Sequence, residues 1–297
     1  MSPSISIGAL KHIDLIKSHL NRNFRSLENK GLKLEIKELP MGKYTFLSCD
    51  VGNCSQNAGN QGYQIFKNYV ANVVSDVILN KWENYIIYDI IRENYYYFNE
   101  DEKNKIFQYA RQRVNEKDIN AGFNSHLLYK RRNQVYQQLK DYLSQNNELV
   151  IEGFIQFRLK DYISFLREVI DSAVDEFLME REYEEFIQIL RYFVEIQEPK
   201  VDLAHVLVKP DGAYKLYNEN KERINNDYLE DFIFTINKEI NYEDLLVSAL
   251  ISISPRKIVF HGDEKYTPKN TLKTIKDVFV GRVEVCKGCH WCRSRTK

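Results

Sequence analysis

Between residues 64 and 198 the chain has no proline and only two glycines, Gly122 and Gly153. These are the residues that most often stop or kink a helix, so their scarcity removes most local reasons for a helix to end there. Net charge is missing too, because forty-two basic residues balance forty-two acidic ones. Without a whole-molecule field, attraction to nucleic acid or anionic lipid would need a local patch. No run approaches the roughly 20 apolar residues of a membrane-spanning helix. No basic segment followed by a long apolar run marks a secretory signal near the first residue. The five cysteines are an odd number in a chain too large to need disulfide staples, which points to a reduced, cytoplasmic protein. A phosphate-binding G-x-x-x-x-G-K-[ST] loop, a G-x-S-x-G elbow and an H-E-x-x-H pair are all absent. Gly52, Gly59 and Gly62 lack the order of a dinucleotide fingerprint. With no catalytic residue set to assign, the chain reads as non-enzymatic.

What is present is apolar and aromatic mass, 43% and 13% of residues, enough to bury a sizeable core. Three regions differ in texture: 1–63, 64–198 and 199–297. In the first, residues 4–7 read as a strand and 12–27 as a helix, since Ile13, Ile16, Leu20, Phe24 and Leu27 recur at helical spacing. Gly31 follows as a stop. Leu32, Leu34 and Ile36 alternate with charges as a half-buried strand does, Pro40 and Gly42 make a turn, and residues 44–51 return. Residues 52–62 read as a linker.

In the helical middle, Phe66, Val70, Val73, Val74, Val77 and Ile78 form one stripe that Trp82, Tyr85 and Ile86 extend. Asn99 with Glu102 reads as a capping box. Breaks are expected at 120–124 and at Asn146-Asn147. From 148 to 196 the helical pattern is nearly unbroken, with Leu166, Ile170, Phe177, Phe186, Leu190 and Phe193 able to share a face. A single straight helix of that length would exceed about 70 Å, so a bend or break is expected near 180–184.

The last region returns to α/β texture. Strands are expected at 201–208, 214–217, 232–236, 258–260 and 282–285. Pro210-Asp211-Gly212 makes a hairpin turn. One helix follows Asn241, and Thr267-Pro268 opens another. Strand, helix and strand from 258 to 285 make a βαβ unit, which implies parallel pairing. The fold class is therefore α+β. A predominantly helical middle region is flanked by mixed β-sheet elements from the N- and C-terminal regions, and the chain ends on a C-terminal βαβ unit. The terminal strands are expected to form one mixed sheet or two small ones.

A family resemblance enters between residues 152 and 206. It is carried by Glu152-Gly153-Phe154, Phe157 to Tyr162, Val174 to Leu178, Tyr183 to Ile187, Leu190 to Val194, Gln197-Glu198-Pro199 and Val201 to Val206. In that order they resemble the YtxC family of sporulation proteins. The resemblance implies a link to endospore formation in Gram-positive bacteria; the favoured reading beside it is a non-enzymatic protein that acts by binding other macromolecules, protein partners before nucleic acid. The resemblance carries over no catalytic residues.

The sharpest chemical signal is Cys286-Lys287-Gly288-Cys289-His290-Trp291-Cys292. Two consecutive C-x-x-C spacings place three thiols in one short loop, which suits Zn²⁺ or an iron–sulfur cluster. The bacterial cluster run would want a further cysteine where Thr296 stands. A fourth ligand is sought in Cys49 or Cys54, at the end of the N-terminal hairpin, with His290 sterically awkward. Against a metal stands the reading of an exposed thiol tail. Cys289 and Cys292 also have redox-dithiol spacing, but such a pair needs a helix after it, and none is expected with five residues left.

Other clusters read more simply. Asp171, Asp175, Glu176, Glu180 and Glu184 are spaced to bind a cation but fit a solvated helix face better. Glu195, Asp202 and His205 meet near one helix–strand junction, where a hydrogen-bonded histidine is the plainer reading. Tyr109, Arg111 and Arg113, and Tyr129 to Arg132, mix basic and aromatic residues as phosphate-and-base contacts do. Nearby acids dilute that field.

Overall fold

The computed structural model describes residues 4–28, 32–53, 59–115, 124–208, 214–224, 242–261 and 269–293. The chain divides into two compact units, residues 1–178 and 179–297.

The first unit is built on a mixed sheet of order β2-β3-β1-β4. Its strands are β1 (Ser4–Ala9), β2 (Leu32–Met41), β3 (Tyr44–Asn53) and β4 (Glu148–Val150). β2 and β3 form an antiparallel hairpin around Gly42 and Lys43, so Pro40 belongs to the strand and not to the turn. β1 pairs antiparallel with β3 and parallel with β4. Alternation turns Ile5, Ile7, Leu47, Cys49 and Val51 inward. Helix α1 (Ile13–Glu28) covers them with Ile13, Ile16, Leu20 and Phe24, the spacing of one helical face. Gly8 is required on the other face: a Cβ there would lie 2.5 Å from the Phe46 ring.

Helices α2 (Gly59–Val77), α3 (Glu83–Asn94), α4 (Glu100–Asn115), α5 (Asn124–Gln145) and α6 (Ile151–Arg158) complete the unit. The expected stripe of α2 is buried from Phe66 to Ile78. A π turn over Ile78–Trp82 then separates α2 from α3. Its wider winding shifts the helical phase, so Trp82, Ile87, Ile90 and Ile91 go inward and Tyr85 is left exposed, against the sequence reading. Asn99 and Glu102 form the capping box, each side chain accepting the other's backbone N–H at 2.9 Å.

Just past the π turn, buried Glu83 accepts a hydrogen bond from the Tyr162 hydroxyl and lies 3.7 Å from the Arg131 guanidinium. Burial raises the Glu83 carboxyl above its usual range, with Arg131 opposing. Tyr162→Phe takes away a donor from a carboxylate that water cannot reach. It is expected to cost about 1–3 kcal/mol, read as a lower denaturation midpoint, and much less in a Glu83→Gln background. Equal costs in both backgrounds would show that the hydrogen bond is not the cause.

Helix α7 runs from Lys160 to Ile196 as one helix. Of the bend or break expected near 180–184, the break does not occur. No proline or glycine interrupts the segment, and its residues serve two cores. Tyr162, Leu166, Ile170, Ala173 and Phe177 belong to the first, and Ile187 and Val194 to the second. Two further corrections concern its ends: residues 148–150 are a strand, and Leu159 separates α6 from α7.

The second unit holds β5 (Leu203–Val208), β6 (Tyr214–Tyr217), α8 (Tyr242–Ile253), β7 (Lys257–His261), α9 (Lys269–Val278), β8 (Val283–Val285) and the single turn α10 (His290–Arg293). The sheet order is β6-β5-β7-β8. β5 and β6 are antiparallel, while β5, β7 and β8 run parallel, as the expected βαβ unit requires. One sheet face carries Ala204, Val206, Val208, Ile258 and Phe260 into a core with Leu246, Leu250, Ile275 and Val278. The Arg191 guanidinium donates to the Asp277 carbonyl at 2.8 Å and caps the end of α9. The linker shrinks, because β3 extends to Asn53 and α2 begins at Gly59. The stop at Gly31, the break at 120–124 apart from Asn124, where α5 begins, the Pro210-Asp211-Gly212 turn, the strand at 232–236 and the Thr267-Pro268 opening lie outside the described residues.

Candidate metal centre

Parallel strands bring all their carboxyl ends to one side, where α/β sheets commonly place ligands. In the second unit β7 ends on His261, and β8 delivers Cys286 next to it. Phe260 pairs with Val285, and the Cys286 amide donates to the Phe260 carbonyl at 2.8 Å. One step further along both strands sets His261 beside Cys286, on the face opposite the hydrophobic core. Gly288 then adopts φ +114°, a left-handed conformation that a side chain would resist. This reversal brings Cys289 back to His261. One turn of α10 places Cys292, whose amide donates to the Cys289 carbonyl at 3.1 Å.

The result is a four-donor cluster. The ligand atoms of His261, Cys286, Cys289 and Cys292 all lie within 4.8 Å of one another. His261 Nδ1 is 3.3 Å from Cys289 Sγ and 3.8 Å from Cys292 Sγ, and the two sulfurs are 3.8 Å apart. A tetrahedral Zn²⁺ ion with ordinary bond lengths sets its ligands about 3.8 Å apart for two sulfurs and about 3.6 Å for sulfur and nitrogen. The observed spacings fit one ion. A [4Fe–4S] cluster attaches each ligand to a separate iron and so holds its ligands further apart than one ion does.

The electrostatics fit the same reading. Cys292 is held above the usual thiol range, first by burial, with hydrogen bonds to Cys289 and Cys286 and the charge of Cys289 contributing. Crowded thiols resist ionising together, and a divalent cation reverses that resistance. His261 is 6% exposed. Its other nitrogen, Nε2, lies 2.9 Å from His205 Nδ1. Burial, then repulsion by Lys221, holds His205 below the usual histidine range.

Cys286, Cys289 and Cys292 are thus gathered as their spacing suggested, and the side chain that joins them is His261. Cys49 lies completely buried on β3 in the first unit, where burial pushes its thiol up to about 12. Cys54 lies outside the described residues. His261 went unread because a histidine after an apolar run looks like any strand-end residue. The usable signal was the parallel βαβ pattern, which aligns the residue after 260 with the residue after 285. A helical turn does follow Cys289, contrary to expectation, but four residues are too few to support a redox dithiol through a dipole.

The remaining clusters have local partners. Arg113 pairs with Glu176 at 2.8 Å, Arg131 with Glu83, and Arg132 with Asp76 at 2.8 Å. Three of the basic side chains singled out for phosphate, Arg113, Arg131 and Arg132, are therefore engaged by carboxylates, while Arg111 lies over the Phe107 ring. Asp171 accepts from the Tyr95 hydroxyl, and Asp202 pairs with Arg256 at 3.2 Å. The side chains of Tyr129 and Lys130 lie outside the described residues. Among the described residues no helix is long and apolar enough to cross a membrane.

No solved structure matches the chain. The chain is 30% identical over 199 residues to the uncharacterized protein YtxC of Bacillus subtilis (strain 168), which spans 66% of this chain and 68% of that protein. The profile of the YtxC-like family matches residues 68–284, a span that takes in His205 and His261 and stops just before Cys286. With most of the helical middle and nearly all of the parallel sheet inside that match, the chain belongs to the YtxC-like family.

Proposed function

We propose that this protein is a zinc-binding protein in which Cys286, Cys289, Cys292 and His261 hold one structural ion. The observation that carries the reading is the convergence of these four donors within 4.8 Å, at spacings a single tetrahedral ion requires. Three thiolates and one imidazole complete the coordination of zinc and leave no position for a reacting ligand, so the role is structural rather than catalytic. The ion would tie the segment after β8 to the end of β7. Cys49 and Cys54 are not needed as ligands in this reading.

The protein then acts through binding other macromolecules, in the endospore formation to which the resemblance links its family. Exposed Phe186, Ile189, Phe193 and Ile196 on α7 support an interaction role, because apolar side chains clustered on one surface commonly mark contact sites. Paired basic side chains favour a protein partner over nucleic acid. The metal part is tested by elemental analysis and absorption spectra of full-length protein purified anaerobically without chelators. One zinc per chain and no visible colour is the expected result. A brown, oxygen-sensitive protein would replace zinc with an iron–sulfur cluster, and neither metal at stoichiometric level would end the reading.

A further inference from the structure

A histidine binds a metal through a nitrogen that carries no proton. His261 turns Nδ1 toward the thiols of Cys289 and Cys292, at 3.3 and 3.8 Å. To be a ligand it must therefore keep its proton on Nε2. That is the less exposed arrangement to maintain, because a ring only 6% exposed has little water to receive the Nε2 hydrogen. Left without an acceptor, the buried N–H would favour the other tautomer or a rotated ring. Either change would aim a hydrogen, not a lone pair, at the sulfurs.

The sheet supplies an acceptor. β5 and β7 pair in parallel with His205 opposite Val259 and Leu207 opposite His261. His205 and His261 are thus diagonal neighbours on the same sheet face, away from the hydrophobic core. Their rings are 5.0 Å apart between centroids, tilted by 49°, with His205 Nδ1 2.9 Å from His261 Nε2. We propose that His205 is the positioning residue of the metal centre, accepting the Nε2–H of His261 and so fixing the ring and tautomer that present Nδ1 to the metal. His205 is not one of the four donors and acts through His261. Metal-bound histidines commonly owe their orientation to such a partner, which also makes the ligand more basic. This inference rests on the proposed zinc site and adds to it a residue some 80 positions upstream of the cysteines.

The test compares full-length wild type, His205→Ala and His205→Asn, each checked for fold by circular dichroism. An asparagine amide oxygen can stand close to the place of the histidine Nδ1 and accept the same hydrogen. Zinc affinity is measured by competition with a chromophoric chelator, and Co²⁺ is added separately as a spectroscopic probe. His205→Ala is expected to weaken zinc about 10–100-fold and to shift the visible cobalt bands, while sulfur-to-cobalt absorption persists. His205→Asn is expected to recover most of the affinity and the wild-type spectrum. Wild-type affinity in His205→Ala would overturn the proposal and leave the zinc site standing. So would an asparagine variant that folds but binds as weakly as the alanine one. Wild-type protein that binds neither metal would overturn both.

Discussion

Phe177→Ala is expected to destabilise the first unit by about 3–5 kcal/mol, whereas Phe186→Ala, nine residues along the same helix, is expected to change stability by less than about 0.5 kcal/mol. Phe177 is 4% exposed and meets the Phe98 ring edge-on, with centroids 5.5 Å apart. Truncating it removes a large apolar surface and leaves a cavity among Phe98, Ala173 and Val174 that rigid helices close only in part. Phe186 is 53% exposed, so little transfer energy is at stake, and alanine's better helix propensity offsets some of that. The measurement is chemical denaturation followed by far-ultraviolet circular dichroism, with equal slopes in all variants. Equal losses in the two variants, or an unchanged midpoint in Phe177→Ala, would contradict the assigned burial.

That pair also marks how far the sequence could be read. In the second half of α7, two apolar faces overlap. Phe186, Ile189, Phe193 and Ile196 lie on one, and Tyr183, Ile187, Leu190 and Val194 on the other. Periodicity detects both and cannot say which meets a core, because that depends on strands that come later in the chain. The structure buries Ile187 and Val194 of the second face in the second unit's core, half-buries Tyr183 and Leu190 against it, and leaves the first face exposed. The same limit explains Tyr85, whose side depends on one π turn that no proline or glycine announces. It also explains β4, whose three residues are too few to show alternation. Where the signal was local, reading succeeded: the capping box at Asn99 and Glu102, the β2–β3 hairpin, and the parallel order of β7, α9 and β8.

The candidate centre divides along the same line. Three of its donors sit within seven residues, and their C-x-x-C spacing announces them. His261 is separated from Cys286 by a whole crossover helix, and His205 lies a further strand and helix away. Both become neighbours only through parallel register. A lone histidine carries no mark of its partner, whereas cysteines at C-x-x-C spacing announce one another, so residue type alone does not point to His261.

Zinc removal is expected to have the other large effect, confined to the second unit. β8 is a short edge strand, three residues paired on one side only with β7, and Glu284 and Val285 are exposed. The Cys286 amide donates to the Phe260 carbonyl at its end, just before the cluster. An ion bound only by the folded state stabilises it by about 4 kcal/mol when free metal is a thousandfold above Kd. The gain arises because assembling the four ligands and folding the segment are one event. Wild type with zinc should therefore lose stability on chelation, and hydrogen exchange at the Cys286 amide should quicken more than at Val206 in the middle of the sheet. Cys289→Ser separates metal from packing. Its side chain is only partly buried, so the variant should match the chelated wild type closely and gain little from added zinc. The gain should also shrink as pH falls, since protons compete for the thiolates and for His261 Nδ1. Cys289→Ser that still gained the full zinc stabilisation, or wild type indifferent to chelation at every pH, would refute a structural ion at this site.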